Sequence, residues 1–276
     1  MPTESPADPP ALQFTIDDGI AVVTLDRPAK MNSLNPELVC RLADAWDTIA
    51  ADPAIRVAIV TGAGDRAFCT GADLGRLIPL FTRARRADDE WDERLLADRT
   101  LLDRALLRRT DFTVPVIAAV RGFALAGGTE LMLGADLRVV ADDSEFGLTE
   151  VARGIIPAGG GLSRLARQVP WARAAEIVLV GDRIDARTAL DIGLVNRVVP
   201  AGEVMTVAMD LARRMTRNGP LAMRAAKEVM VTSNGMPLDD AFAVESRVAG
   251  RVMRSSDAVE GPRAFIEKRE PRFTGT

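Results

Sequence analysis

Two short runs, Arg56–Thr61 (RVAIVT) and Val116–Val120 (VIAAV), are apolar almost without interruption. A strand with one wet face alternates apolar and polar residues, so runs like these predict strands covered on both faces, as in a parallel sheet flanked by helices. Leu137–Ala141 reads as a third strand and Ser144–Gly147 as a short fourth. Leu12–Asp17 and Ile20–Leu25 are β-rich runs joined by Asp18-Gly19, a hairpin signal. Pro36 opens a helix to about Ala51, with Asn35 as N-cap and Leu38, Leu42, Ala45, Trp46 and Ile49 on one face. A Gly-rich bend after Val120 leads into a helix over Gly127–Gly134. The recurring order is strand, often a second strand, then helix: an α/β chain of ββα units with no residue-level repeat.

Between Leu74 and Val114 lies a segment dense in Arg, Asp and Glu. Trp91, Leu95, Leu102 and Leu106 fall at helical spacing within it, which predicts a solvated amphipathic helix, with a wall over a substrate pocket as the other reading. Beyond Pro200 helical patterns run through Val204–Arg217, Pro220–Thr232, Pro237–Arg251 and Ser256–Arg269 without a convincing strand. The chain is therefore expected to divide into an α/β core over 12–200 and a helical region over 201–276. Residues 1–11, Pro-rich and acidic, are expected to be a disordered tail rather than a targeting segment.

Composition narrows the chemistry. The 276 residues, 47% of them apolar, suffice for a large buried core. There is no His and no Tyr, which removes Ser-His-Asp and Cys-His catalysis, His-ligated metals and a tyrosine acid. Cys40 and Cys69 form neither a CxxC pair nor a disulfide framework, which suits a reducing compartment. Proton transfer near neutrality falls mainly to carboxylates, with a perturbed Cys or Lys as the remaining choice. The net charge is −4, and Lys30, Lys227 and Lys268 are the only lysines, which argues against a nucleic-acid surface. No stretch approaches 18 consecutive apolar residues, so a soluble cytoplasmic protein is expected.

Gly62-x-Gly64-x-x-Ala67 follows a predicted strand, and Asp88 lies about 20 residues on, as in a dinucleotide fingerprint. Phe68-Cys69-Thr70-Gly71 interrupts the helix that such a site requires, so the match reads as an ordinary strand-end turn. Gly159-Gly160-Gly161 lacks the Lys-Ser/Thr of a P-loop. A stronger pattern joins two segments. In Ala67–Leu74 and in Ala126–Leu131, small residues precede a helical pattern, where free backbone N–H groups can face a ligand. Two such groups converging would form an oxyanion hole. Glu130 lies one turn beyond Gly127 among apolar residues, and Glu150 precedes the turn Gly154–Pro157.

These residues, with LDRPAKMNSLN (25–35), AFCTGADL (67–74), the run 115–161, ALDIGLVNRVV (189–199) and EGPRAFIEKREPRF (260–273), occur in an order and spacing that resembles the crotonase superfamily, the enoyl-CoA hydratases and isomerases. The resemblance implies a crotonase-type spiral of ββα units with a C-terminal helical trimerisation region. It implies that Ala72 and Gly127 bind the thioester oxygen through backbone N–H groups and that Glu130 and Glu150 are the catalytic pair. It further implies that Ala29, Ala72, Asp73, Leu74 and Gly75 hold coenzyme A, and that Phe265 and Lys268 reach a neighbouring subunit's coenzyme A in a homotrimer or dimer of trimers. Hydratases use both glutamates, whereas isomerases rely on the one matched by Glu150. No metal or separate cofactor is expected, coenzyme A being part of the substrate. A third possibility, an RNA-binding member with lysine-rich helices, fits three lysines poorly. Ala126 departs from the family's glycine trio, and the 74–114 segment is longer than in short-chain hydratases.

Overall fold

The computed structural model describes residues 10–276. The strands are β1 (Leu12–Asp17), β2 (Ile20–Leu25), β3 (Val57–Gly62), β4 (Ala67–Cys69), β5 (Val116–Val120), β6 (Phe123–Leu125), β7 (Leu137–Ala141), β8 (Glu145–Gly147), β9 (Ile184–Asp185) and β10 (Arg197–Val199). The helices are α1 (Pro36–Ala51), α2 (Leu77–Phe81), α3 (Glu90–Ala97), α4 (Leu101–Ala105), α5 (Gly127–Gly134), α6 (Gly161–Gln168), α7 (Trp171–Val180), α8 (Ala186–Asp191), α9 (Val204–Thr216), α10 (Pro220–Thr232), α11 (Leu238–Val252) and α12 (Ser256–Ile266). Six strands form one sheet in the order β1-β2-β3-β5-β7-β10, and four form a second in the order β4-β6-β8-β9. Strands β3, β5 and β7 enter the large sheet in parallel, and each is followed at once by a strand of the small sheet. A helical segment then leads to the next pair. This is the expected spiral of ββα units.

Both faces of the large sheet are covered, which is why its strands read as unbroken apolar runs. Ala58, Val60, Ala118 and Val140 face one core; Val57, Ile59, Ile117 and Val139 face another. The second core is closed by α9 through Val204, Ala208 and Ala212, spaced one turn apart on a single helix face. Residue 200 thus marks the end of the strands while α9 still packs on the core. The β1–β2 hairpin turns through Asp18 (φ 45°) and Gly19 (φ 73°), the left-handed pair that a two-residue turn matching strand twist requires. In α1 the Asn35 side chain accepts from Leu38 N–H at 2.9 Å, and Trp46 Nε1 donates to Ala105 O at 3.0 Å.

The 74–114 segment departs from the single helix expected. It forms three short helices, because Asp89 caps α3 by accepting from Asp92 N–H at 2.8 Å, and Asp98 ends it by turning to Thr100 N–H at 2.9 Å. Leu95 and Leu101 are buried where α3 and α4 pack on α1, and Leu106 is buried beside Gly159, so the segment is packed rather than solvated on all sides. Asp88, Asp89 and Asp92 gather their carboxylates, but Arg76 and Arg85 pair with them, and the hydrogen bonds from Arg85 hold Asp92 down to about 2.

The expected tail over 1–11 lies outside the described residues as far as residue 9. At its inner end Ala11 is buried, with its C=O accepting from Asp26 N–H at 2.8 Å. Among the described residues no helix is long and apolar enough to cross a membrane. Lys227 on α10 donates to Val114 O at 2.8 Å and pairs with Asp136 at 2.7 Å, tying the helical region to the sheet.

Candidate active site

Strands β4 and β6 run parallel and adjacent, so the turns that leave their C-terminal ends emerge side by side. The first turn carries Gly71, Ala72 and Asp73; the second carries Ala126 and Gly127, where α5 begins. Gly71 has φ 87°, and a Cβ placed on it would lie 2.6 Å from Ala126 Cβ and 3.0 Å from Gly127 N. A Cβ on Gly127 would lie 3.9 Å from Ala72 N. Only glycine permits this approach of two backbones. The neighbouring amides are engaged: Asp73 N–H donates to Leu34 O at 2.9 Å and Ala126 N–H to Gly147 O at 2.8 Å. Among the described residues no acceptor meets the N–H of Ala72 or Gly127. Two unspent donors side by side, one at a helix N-terminus, can stabilise a developing oxyanion. Ala126 adopts φ 51° and ψ −125°, a conformation glycine enters freely and alanine only under strain.

Glu130 sits on the first turn of α5 and is 3% exposed. Its Oε1 accepts from Gly159 N–H at 2.7 Å and Gly161 N–H at 2.8 Å. Burial raises its pKa, while the two amides, Arg164 and Arg108 pull it back. A Cβ on Gly159 would overlap the Leu106 side chain and sit 2.8 Å from Glu130 Oε2. The Gly159–Gly161 triplet, which fails as a P-loop, is therefore the cradle of Glu130. Glu150 opens a 3-10 turn, Glu150–Arg153, three residues past the end of β8. It is 7% exposed, and among the described residues its buried Oε2 meets no hydrogen-bond partner. Burial pushes Glu150 up to about 7, and the negative charge of Glu130 adds to the rise. One carboxylate is held by amides and the other is poised to keep a proton near neutrality, a division suited to base and acid roles.

Of the residues expected to hold coenzyme A, Ala29, Leu74 and Gly75 are exposed on the two loops around this site. Asp73 is instead tied down: it pairs with Arg27 at 3.0 Å and accepts from Gly75 N–H at 3.0 Å. Asn32, which no local sequence signal marks, is buried and donates to Ala63 O at 2.9 Å and Ala67 O at 2.8 Å while accepting from Arg27 N–H at 2.9 Å. Together Asn32, Arg27 and Asp73 clamp the 27–34 loop onto the β4 turn. α5 packs on β4, β6 and α6, whereas Phe265 is 85% exposed near the end of α12 and Lys268 is exposed beyond it. The chain by itself encloses neither in the site.

The other chemistries fall away on geometry. The turn after Gly62 leads into strand β4, so no helix N-terminus faces a dinucleotide there. Burial pushes the Cys69 thiol up to about 12 and Cys40 to about 11, far from thiolate chemistry.

A family model described as enoyl-CoA hydratase/isomerase matches residues 15–276. The chain is 40% identical over 252 residues to enoyl-CoA hydratase EchA19 of Mycobacterium tuberculosis, covering 91% of this chain and 92% of that protein. It is 38% identical over 269 residues to carnitinyl-CoA dehydratase of Escherichia coli K12, covering 96% and 98%. Among solved structures, an enoyl-CoA hydratase from Mycobacterium tuberculosis H37Rv superposes with a TM-score of 0.86 at 41% identity, over 97% of this chain and all of that one.

Proposed function

Because the chain belongs to the enoyl-CoA hydratase/isomerase family, we propose that it is a 2-enoyl-CoA hydratase, a carbon–oxygen lyase that adds water across the α,β double bond of an acyl-CoA thioester. The observation that carries this reading is the second buried carboxylate: Glu130 has its own pair of amide donors and is near enough for its charge to raise the Glu150 pKa. Moving a double bond needs one group to shuttle a proton, whereas hydration needs one group to take a proton from water and another to protonate Cα. In this mechanism the thioester oxygen accepts from Ala72 and Gly127 N–H, which stabilise the enolate formed as water attacks Cβ. Glu130 orients the water and takes its proton; Glu150, protonated, delivers a proton to Cα. The reverse sequence dehydrates a 3-hydroxyacyl-CoA by the same groups. Nothing in this chemistry calls for a metal or redox cofactor.

Coenzyme A lies along Ala29 and the Ala72–Gly75 turn, held largely by backbone. The apolar residues left exposed on the C-terminal helices, Met253, Val259, Phe265 and Ile266, support a homotrimer or dimer of trimers in which Phe265 and Lys268 serve a neighbouring copy's coenzyme A. Sedimentation of the purified chain as a monomer would overturn this assembly. Two buried free thiols suit the reducing cytoplasm.

A panel of 2-enoyl- and 3-enoyl-CoA thioesters of short to long chain, read by mass spectrometry for gain of water, tests the reaction. Double-bond migration without any hydration would make the protein an isomerase working through Glu150 alone. The pH profile is a second expected outcome. Since Glu150 must carry its proton, kcat/KM for hydration should fall about tenfold per unit above pH 7 or so, and not below it on account of this group.

A further inference from the structure

We propose that Thr129 is a positioning residue that sets the placement of Glu130 relative to Glu150, an inference that rests on the hydratase reading above. Thr129 precedes Glu130 on α5 and is 2% exposed. Adjacent helical side chains diverge by about 100°, so Thr129 faces the small sheet while Glu130 faces the Gly159–Gly161 cradle. The Thr129 hydroxyl donates to Ala124 O in β6 at 2.6 Å and accepts from Gly147 N–H at 3.3 Å. It also lies 3.0 Å from Gly147 O, which accepts from Ala126 N–H. Gly147 closes β8 three residues before Glu150. Both backbone groups of Gly147 are therefore engaged by the first turn of α5. One hydroxyl thus laces together the strand that leads into α5, the helix that carries Glu130, and the strand that leads into Glu150.

Ala124 O and Gly147 N–H also meet each other in the parallel β6–β8 ladder, so an apolar residue of the same shape orphans neither; it removes the tie by which α5 holds both strands, and this junction loosens. The loops that hold coenzyme A, 27–34 and 70–75, make no hydrogen bond to Thr129. Loss of the hydroxyl should therefore act on the placement of the carboxylates and leave substrate binding alone.

Steady-state kinetics of the full chain with a 2-enoyl-CoA thioester test this, with thermal melts beside them. Thr129→Val, near in shape, and Thr129→Ala, smaller, are each expected to lower kcat about tenfold or more with KM within about twofold. Thr129→Ser, which keeps the hydroxyl, should stay within about twofold of wild type. If Thr129→Val does not fold, Thr129→Ala carries the comparison; if neither folds, the hydroxyl serves the fold alone and the proposal fails. It also fails if a folded Val or Ala variant keeps wild-type kcat, if KM rises as far as kcat falls, or if serine does no better than alanine. A wild-type protein that adds no water defeats the hydratase reading itself. One that hydrates normally while Thr129→Val is unaffected defeats only this inference.

Discussion

Replacing Glu130 or Glu150 by glutamine is expected to lower water addition by roughly 10²–10⁴, each substitution alone being sufficient. Glutamine keeps the shape of the side chain and its hydrogen-bond acceptor, so Gly159 and Gly161 N–H can still bind at position 130. What disappears is the proton-accepting or proton-donating carboxyl. Loss of fold is separable from loss of chemistry, because the stability effect at position 150 has the opposite sign. The folded-state pKa of Glu150 lies above its ordinary value of 4.5, so the native state binds the proton more tightly than the unfolded chain does. Its favourable contribution is complete below pH 4.5 and lost as pH rises to about 7. At pH 8 the wild type buries an ionised carboxylate, and Glu150→Gln should be more stable than wild type by on the order of 2 kcal/mol. An inactive Glu150→Gln protein with a raised melting temperature at pH 8 is the expected result. Glu130→Gln retaining full hydration would remove Glu130 from the mechanism and leave Glu150 to act alone.

Removing the Gly127 N–H is expected to cost turnover roughly 10²-fold or more, the scale of losing one oxyanion donor. Proline does this at a position where the helix tolerates it, since the first helical residue has no intrahelical acceptor for its N–H. Two local conflicts need handling. A Cβ at 127 approaches Leu34 Cδ1 at 3.1 Å, which a rotation of that side chain relieves. Ala126, at φ 51°, is also poorly placed to precede proline. The substitution is therefore best made with Ala126→Gly, and Ala126→Gly alone is the control. That control should be stabilised by about 1 kcal/mol, because glycine takes up the left-handed backbone without strain. A folded Ala126→Gly/Gly127→Pro protein turning over as fast as the control would remove Gly127 from the oxyanion hole.

Elements that depend on neighbours in sequence were legible from it. The Asp18-Gly19 hairpin, the Asn35 cap of α1, strands β5 and β7 and the span of α5 match their expected limits, because turn chemistry, capping and apolar period are local properties. The breaks in the 74–114 segment were not legible, because its apolar spacing is helical throughout. Whether Asp89 and Asp98 interrupt a helix depends on what their carboxylates find to bind. The candidate site was legible in outline, since glycine-rich turns, Glu130 among apolar residues and Glu150 before a turn carry a local signal, and the family resemblance joins them. Its supports were not. Gly159 and Gly161 reach Glu130 from 29 and 31 residues away, and Asp73 meets Arg27 across 46.

Sequence alone therefore determined the spiral of ββα units, the exclusion of histidine, tyrosine and thiolate-pair chemistry, and which two carboxylates to consider. Tertiary structure decided what those carboxylates are. Desolvation and the charge of a neighbour depend on distances through space, so only the folded chain could bury Glu150 unpartnered beside an amide-held Glu130 and raise its pKa into the neutral range. It was likewise the parallel pairing of β4 with β6 that set the Ala72 and Gly127 turns side by side, since two donors 55 residues apart converge only when their strands share a sheet edge.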